Sequence, residues 1–188
     1  MRLALQADPL HAPSHFLLGC LLERRGKDDQ AIVGFQQALA LDPTSPETLY
    51  NLGTLLLPRG EAAAASSLLE NAVIVRPDHV PTYNNLGKAY FMAGLPELAV
   101  AAYEEVLRRD PSNVIALKNL LLLAEAAGLN AAASYRRHLD AIVSGRAVVT
   151  TGVPGERLPI WPIASGTVGS VSCLGRQTSL PWSLSPPR

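Results

Sequence analysis

The sequence predicts an all-α protein, a solenoid of antiparallel helix pairs followed by a disordered tail. Proline, glycine and alanine each recur with a 34-residue period along most of the 188-residue chain. Between these residues, apolar side chains recur at the three- and four-residue steps of an amphipathic helix. Only 5% of the residues are aromatic, so alanine and leucine supply most of the hydrophobicity, which favours helix over strand. The periodic sets are Pro9, Pro43, Pro77 and Pro111; Gly26, Gly60, Gly94 and Gly128; Gly19, Gly53 and Gly87; and Ala31, Ala65, Ala99 and Ala133.

Each set predicts one part of a helix–turn–helix unit. Glycines of the Gly26 set can adopt the positive φ that ends a first helix. Prolines of the Pro43 set stop the second helix, because proline lacks the N–H and clashes with the preceding turn. Glycines of the Gly19 set lie inside first helices, where a small residue lets the paired helix approach. We expect Ala31, Ala65 and Ala99 to be the small residues of the second helices that face them.

The units follow one another in a fixed order. We expect a half repeat at 1–11, full repeats at 12–45, 46–79 and 80–113, a degenerate or capping repeat at 114–145, and a Pro/Gly/Ser-rich disordered tail at 146–188. The chain is therefore expected to begin inside a repeat, as a fragment would. Pro58 falls in the last turn of a first helix and should end it early or kink it, with Leu57 driven away from helical torsions.

The residues of these units resemble tetratricopeptide repeats. The third unit carries the family pattern most fully, with Tyr83, Leu86, Gly87, Tyr90, Ala99, Tyr103 and Pro111. The fourth unit keeps Leu120, Gly128 and Ala133 but departs from the pattern at Leu121, Arg137 and Gly145, which suits a terminal capping unit. The resemblance implies a right-handed superhelix whose first helices line a concave groove, and a protein or peptide partner held in that groove.

The family register assigns the residues of the groove. The candidate binding residues are Phe16, Tyr50, Asn51, Asn84, Asn85, Lys88, Phe91, Lys118 and Asn119, with Leu17, Cys20, Thr54, Leu57 and Leu122 beside them. Asn51, Asn85 and Asn119 follow the same 34-residue period and resemble the asparagine ladder of O-linked N-acetylglucosamine transferases. A carboxamide can match both the N–H and the C=O of an extended peptide. Alternatively, these asparagines are solvated or form hydrogen bonds between repeats.

Two functions from different classes fit these observations. The first is a protein–protein interaction scaffold that binds an extended peptide or a partner helix. The second is the substrate-recognition fragment of an enzyme, such as a glycosyltransferase resembling the O-linked N-acetylglucosamine type, without its catalytic domain. A further possibility is that the tail fills the groove, anchored by Trp161 or Trp182.

Composition and motifs argue against other classes of function. Sixteen basic residues balance sixteen acidic ones, so nothing attracts the chain generally to nucleic acid or anionic membranes. Residues 1–145 carry 12 basic and 15 acidic residues, and the tail carries 4 and 1. His11 and His15 have the spacing of a metal pair, but no further ligand completes a site. We expect no cofactor, no metal and no enzymatic activity in this chain, and a cytoplasmic location; the oligomeric state stays open.

Overall fold

The computed structural model describes residues 10–145, which form eight α-helices and one short 3₁₀ turn. The helices are α1 (Ala12–Glu23), α2 (Asp28–Leu41), α3 (Pro46–Leu56), α4 (Ala62–Val75), α5 (Val80–Met92), α6 (Pro96–Arg109), α7 (Val114–Ala126) and α8 (Ala131–Val143). No strand occurs within residues 10–145, and the predicted all-α solenoid is confirmed. Residues 1–9 of the predicted half repeat and the predicted disordered tail, 146–188, lie outside the described residues.

Each helix packs mainly against the helices that precede and follow it in the chain. The pairs α1/α2, α3/α4, α5/α6 and α7/α8 are each joined by a short turn and pack closely, and each pair packs on the next. Short connections place consecutive helices antiparallel. Phe35 of α2 and Leu69 of α4 are completely buried, with Leu52 and Leu86 of the first helices packed around them. The core is therefore a continuous row of side chains shared between neighbouring pairs.

Glycine ends the first helix of every pair, as predicted. The four turn glycines have positive φ: 67° at Gly26, 77° at Gly60, 75° at Gly94 and 65° at Gly128. The residue after each glycine donates its backbone N–H to a carbonyl of the last helical turn, as Lys27 does to Leu22 at 3.0 Å. These bonds satisfy carbonyls that would otherwise have no partner at the helix end.

Glycines inside the first helices allow a close approach of the second helix, but the side chains nearest to them are larger than the alanines we expected. A Cβ added at Gly19 would lie 2.7 Å from the Phe35 ring, and one at Gly87 would lie 2.7 Å from the Tyr103 ring. At Gly53 the closest side chain is Leu69, at 2.9 Å. An expected residue does come near at this position, because the Ala65 carbonyl oxygen lies 3.4 Å from an added Cβ. The expected alanines are completely buried, yet the glycines face the large side chain four positions later. The glycine makes room for this ring or branched chain.

Second helices end two positions before the periodic prolines. Helices α2, α4 and α6 end at Leu41, Val75 and Arg109. The intervening residues have almost the same torsions: φ −135° and ψ 89° at Asp42, −131° and 84° at Arg76, and −134° and 86° at Asp110. These φ values lie in the range that a following proline favours, and the ψ values lie outside the helical region that it disfavours, so proline helps to set the joint between successive pairs.

Pro58 shortens α3, as predicted, but Leu57 behaves differently. The α-helix ends at Leu56, and a 3₁₀ turn follows over Leu57–Arg59. Leu57 nevertheless keeps right-handed helical torsions, with φ −60° and ψ −52°. Its side chain is only 2% exposed and belongs to the core cluster. Burial of a leucine stabilises by about 1.5–3 kcal/mol, which offsets the weaker preference imposed by the proline. Placing Leu57 in the groove was therefore wrong.

The fourth pair has a buried aromatic residue at a position that the sequence register does not indicate. Tyr135 is buried, with 7% of its surface exposed, whereas Ala133 and Arg137 are exposed. The 34-residue period makes Arg137 the equivalent of Tyr103, so the inward face of α8 is offset by two positions. An arginine has no apolar end to bury, whereas the body of a tyrosine does. Burial, and the charge of Glu104, raise the pKa of Tyr135.

Candidate functional site

The predicted binding residues lie on the first helices α1, α3, α5 and α7, outside the buried core. We call this set of half-buried and exposed side chains the groove face. Its half-buried members are Phe16, Tyr50, Asn51, Asn84, Asn85 and Asn119, and its exposed members are Lys88, Phe91 and Lys118. Phe91 is 48% exposed, which is high for an aromatic side chain in a helix of this array. All nine residues therefore belong to first helices, and none of them is fully buried.

Two of the periodic asparagines join neighbouring first helices. Asn51 Nδ2 lies 3.9 Å from Cys20 Sγ, and Asn85 Nδ2 donates to Thr54 Oγ1 at 2.9 Å. In both cases the partner lies 31 residues earlier. We call each asparagine with the residue 31 positions before it a rung, the first being Asn51/Cys20 and the second Asn85/Thr54. The expected alternative, a hydrogen bond between repeats, thus holds for the amide N–H of these two rungs.

Unlike these amide N–H groups, the amide oxygens of the rungs have no hydrogen-bond partner among the described residues. Within residues 10–145, Oδ1 of Asn51 and Oδ1 of Asn85 accept no hydrogen bond. The side chain of Asn119, in the third rung, makes no hydrogen bond to any described residue. Since a carboxamide oxygen has two lone pairs, each rung retains acceptor capacity toward a bound molecule.

Asn84 has a different surrounding from its neighbour Asn85. Its Nδ2 donates to Asn113 Oδ1 at 3.4 Å, and Asn113 itself caps α7 by accepting from the Ala116 N–H at 3.1 Å. Asn84 Oδ1 is buried and has no partner among the described residues. The structure therefore ties Asn84 to the start of the next first helix.

A pocket is lined by residues of α1 and α3, by Ala72 and Arg76 at the end of α4, and by His79 and Thr82 at the start of α5. It has a volume of about 130 Å³, and Phe16, Tyr50, Asn51 and His79 line it. Phe16 packs on Phe35 with ring centroids 5.7 Å apart, and Tyr50 meets the His79 ring edge-on at 5.0 Å. The rings are thus held in place by packing, which leaves an apolar recess with an amide at its side.

An ion pair borders the same pocket. Arg76 bonds to the carboxylate of Glu47, and both side chains are partly exposed. A hydrogen bond from the backbone N–H of Glu47 holds the pKa of this carboxyl below its usual range, and Arg76 lowers it further. The pocket rim is therefore charged but locally neutral.

Two histidines that are scattered in the sequence occupy equivalent positions. His11 and His79 precede α1 and α5, where Ser45 and Asn113 precede α3 and α7. Nδ1 of His79 lies 2.7 Å from the Thr82 hydroxyl, and the His11 contact with Ser14 measures 2.9 Å. The sequence could have revealed this equivalence, because these histidines are two periods apart and each precedes a hydroxyl residue by three positions.

Cys20 lies at the boundary between groove and core, the two places we had considered. Its side chain is half-buried, contacts Asn51 and packs against the core cluster. Burial, followed by the charge of Glu23, raises the pKa of the Cys20 thiol. A thiol kept protonated in this way is a weak nucleophile at neutral pH.

The two lysines of the groove face have no ionic partner within residues 10–145. Most arginines near the second helices differ in this respect, because carboxylates pair with them. The pairs are Arg59 with Asp29 and Glu61, Arg76 with Glu47, Arg108 and Arg109 with Glu105, and Arg136 with Glu125. Lys88 and Lys118 are therefore the uncompensated positive charges of the groove face.

Residues 10–145 contain no group of three or more His, Cys, Asp or Glu side chains placed to hold a metal ion. Every helix in that range is too short or too polar to span a bilayer.

Comparisons with known proteins identify the fold family. Three family models match: a TPR repeat over residues 21–60, and tetratricopeptide repeats over 44–112 and 84–142. No curated protein matches the chain. Two crystal structures of MamA are 25% and 27% identical to it, with TM-scores of 0.70 and 0.71; they cover 76% and 79% of this chain and 82% of theirs. The first TPR of Spaghetti (RPAP3), bound to the HSP90 peptide SRMEEVD, is 26% identical with a TM-score of 0.59, over 62% of this chain and 93% of that one. From the family models that together span residues 21–142 and the shared fold, the chain belongs to the tetratricopeptide-repeat family.

Proposed function

We propose that this chain is a protein-interaction scaffold that holds an extended segment of a partner protein along its groove face. The observation that carries the proposal is the row of Asn51, Asn85 and Asn119 on successive first helices. Their amide oxygens have no partner in the described part of the chain. An extended peptide presents a backbone N–H at every residue, so regularly spaced acceptors suit its backbone whatever its side chains.

The similarity to a solved peptide complex supports the same function. The RPAP3 domain, 26% identical to this chain, is a TPR bound to a peptide of HSP90. We propose that the same fold here also takes a peptide, with the first and second rungs fixing the helices that face it. A hydrogen bond between repeats then has a second role, because it orients each amide so that its oxygen points away from the neighbouring helix.

Selection and binding experiments test this function. The full chain is used to select peptides from a library of random dodecapeptides, and the dissociation constants of the enriched peptides are measured by fluorescence polarisation. We expect the Asn51→Ala/Asn85→Ala/Asn119→Ala variant to bind them about 100-fold more weakly, since three hydrogen bonds of about 1 kcal/mol each are lost. Enriched peptides that bind this variant as tightly as the wild type would contradict the proposal.

Controls separate binding from folding. Asn71 and Asn130 are exposed asparagines outside the groove face, and we expect Asn71→Ala and Asn130→Ala to leave the affinity unchanged. Asn119→Ala removes a side chain that has no hydrogen bond to the described residues, so its stability should match the wild type while its affinity falls. Thermal unfolding of each variant is recorded in parallel.

A further inference from the structure

Exposed apolar side chains crowd the turn between α5 and α6. We call four of them the turn patch: Phe91, Met92, Leu95 and Leu98. Each exposes between 41% and 48% of its surface, although all four lie within residues 91–98. Phe91 also belongs to the groove face, and the other three lie outside it. Adjacent exposed apolar side chains of this kind mark a surface to which another molecule binds.

The equivalent positions of the other repeats are not apolar and exposed together. In the first repeat they hold four charged or polar residues: Glu23, Arg24, Lys27 and Gln30. In the second repeat Leu57 is buried, and Glu61 follows the turn glycine. In the fourth repeat Glu125 takes the place of Phe91. The fold therefore does not need apolar side chains at this surface, and a bound partner is the use that is left for them.

The turn that carries the patch is fixed by its own backbone. Gly94 has a φ of 75°, and the Leu95 N–H donates to the Tyr90 carbonyl at 2.9 Å. Helix α5 ends at Met92 and α6 begins at Pro96, so helical backbone lies on both sides of the turn. A surface that is already formed loses little conformational entropy when it binds a partner.

Two unpaired charges lie on opposite sides of the turn patch. Lys88 is on α5, one helical turn before Met92, and Glu97 is in the first turn of α6. Both side chains are exposed, and neither forms an ion pair within residues 10–145. The charges of the neighbouring turns differ, because they are already paired: Arg59 with Glu61, and Arg136 with Glu125. The turn patch thus has a free cation on its α5 side and a free anion on its α6 side.

We propose that the turn patch is the interface of a homodimer, in which its partner is the same patch of a second copy of this chain. A two-fold axis that runs between the α5 side and the α6 side places each of these sides against the other one in the second copy. Apolar side chains then meet apolar side chains, and Lys88 of each copy meets Glu97 of the other. The patch is therefore complementary to itself, whereas a surface with charges of one sign would repel its own copy.

The size of the patch sets the strength of this dimer. Four half-exposed side chains supply less than the area of about 800 Å² that each partner buries in a standard interface, so we expect a dissociation constant in the micromolar range. The inference does not rest on the proposed function, because its readout is the association state and not the binding of a peptide.

Sedimentation velocity of the full chain between about 1 µM and about 1 mM tests the proposal. We expect a monomer at the lowest concentration and a dimer at the highest. Leu95→Glu/Leu98→Gln should raise the dissociation constant at least about tenfold. The turn should tolerate this change, because Glu61 and Gln30 occupy the equivalent positions of other repeats. Val33→Gln, at an exposed position of α2 outside the patch, should leave the dissociation constant unchanged.

Charge reversal tests the contact across the two-fold axis. Lys88→Glu and Glu97→Lys should each weaken the dimer about tenfold, because each variant brings like charges together at two symmetric places. Lys88→Glu/Glu97→Lys should restore the wild-type dissociation constant, since the opposite charges then meet in exchanged positions. Circular dichroism of every variant shows whether the helices are retained.

Several outcomes overturn the inference. One is a chain that stays monomeric at every concentration. Another is a dimer that Leu95→Glu/Leu98→Gln leaves intact, because it then forms through a different surface. Failure of the double charge reversal to restore association overturns the two-fold arrangement. A monomeric chain that binds phosphatidylcholine vesicles, and loses this binding in Leu95→Glu/Leu98→Gln, would assign the patch to a lipid surface instead of a second copy.

Discussion

A glycine in the middle of an α-helix usually weakens it, yet three first helices here require one. Gly87 has ordinary helical torsions, so its backbone flexibility is not what the position needs. The requirement is space, because the Tyr103 ring lies where a Cβ would be. Burial raises the pKa of the Tyr103 hydroxyl to about 12, in keeping with a ring enclosed by the core. The ring and the glycine therefore act as one packing unit.

Gly87→Ala should destabilise the protein. Alanine favours a helix by about 1 kcal/mol over glycine, but forcing a Cβ to 2.7 Å from a buried ring should cost about 3 kcal/mol, near the upper end of the usual range for overpacking, so we expect a net loss of about 2 kcal/mol. Urea unfolding followed by circular dichroism measures it. Combining Gly87→Ala with Tyr103→Leu should give a loss smaller than the sum of the single losses. Equal stability of Gly87→Ala and the wild type would show that the ring moves aside freely.

At the scale of an element, the last turn of α6 is held by one carboxylate. Glu105 accepts from Arg108 Nε at 2.8 Å and also pairs with Arg109. Arg109 in turn donates to the Pro77 carbonyl at 2.8 Å and lies over the Tyr83 ring, 4.4 Å from its centroid. Glu105 thus orients an arginine that joins the end of α6 to α5 and to the turn before it.

Acid should weaken this connection. The hydrogen bonds from Arg108, then those from Arg109, lower the pKa of Glu105 from 4.5 to about 2. A lowered pKa in the folded state means that the stabilisation is complete above pH 4.5 and disappears as pH falls toward 2. We expect the melting temperature of the wild type to exceed that of Glu105→Gln at neutral pH, and the difference to shrink between these two values.

Thermal scans from neutral pH down to about pH 2 provide the measurement. Asp78→Asn serves as the matched control, because Asp78 is exposed in a turn and forms no ion pair within residues 10–145. A difference between wild type and Glu105→Gln that stays constant over the whole range would contradict the role given to this carboxylate.

The elements could be predicted from the sequence where a residue's own backbone decides the structure. Turn glycines and stop prolines mark the ends of first and second helices, because positive φ and the restricted residue before proline are local properties. The inward face of α8 could not be predicted, because the 34-residue register points to Arg137 and packing selects Tyr135. Leu57 is a similar case, in which burial outweighs the preference that Pro58 imposes.

Across the whole molecule, stability should be greatest in the middle of the array. The core cluster draws its residues from α2 to α6, whereas Gly19 is the buried residue of α1 and Tyr135 that of α8. In a stacked array each repeat is stabilised by its neighbours, so an end repeat has less support. We expect backbone amides of α3–α6 to exchange with deuterium most slowly and those of α8 fastest, as measured by mass spectrometry.

Tyr135→Ala sharpens this expectation. It should accelerate exchange in α7 and α8 while leaving α3 unaffected, because the effect reaches only the nearest neighbours. Ala133→Ser, at an exposed position of the same helix, is the control. Uniform protection from α1 to α8, or an effect of Tyr135→Ala that extends to α3, would indicate a single cooperative unit.

The positions of the candidate site residues could be predicted from the sequence more completely than the contacts that these residues make. The 34-residue period places Asn51, Asn85 and Asn119 at equivalent positions of successive first helices. It does not reveal that Cys20 and Thr54 bond to two of them, since these contacts join residues 31 positions apart through helix packing.

The joints between repeats lead to a final consequence. Asp42, Arg76 and Asp110 adopt nearly identical torsions, although their side chains differ in charge and size. The backbone torsions at each joint therefore do not depend on the side chain at that position. Inserting or removing one whole repeat at such a joint would leave the torsions of the other joints unaltered. The length of partner that the proposed scaffold would hold is then set by the number of repeats, and it would change by one repeat at a time.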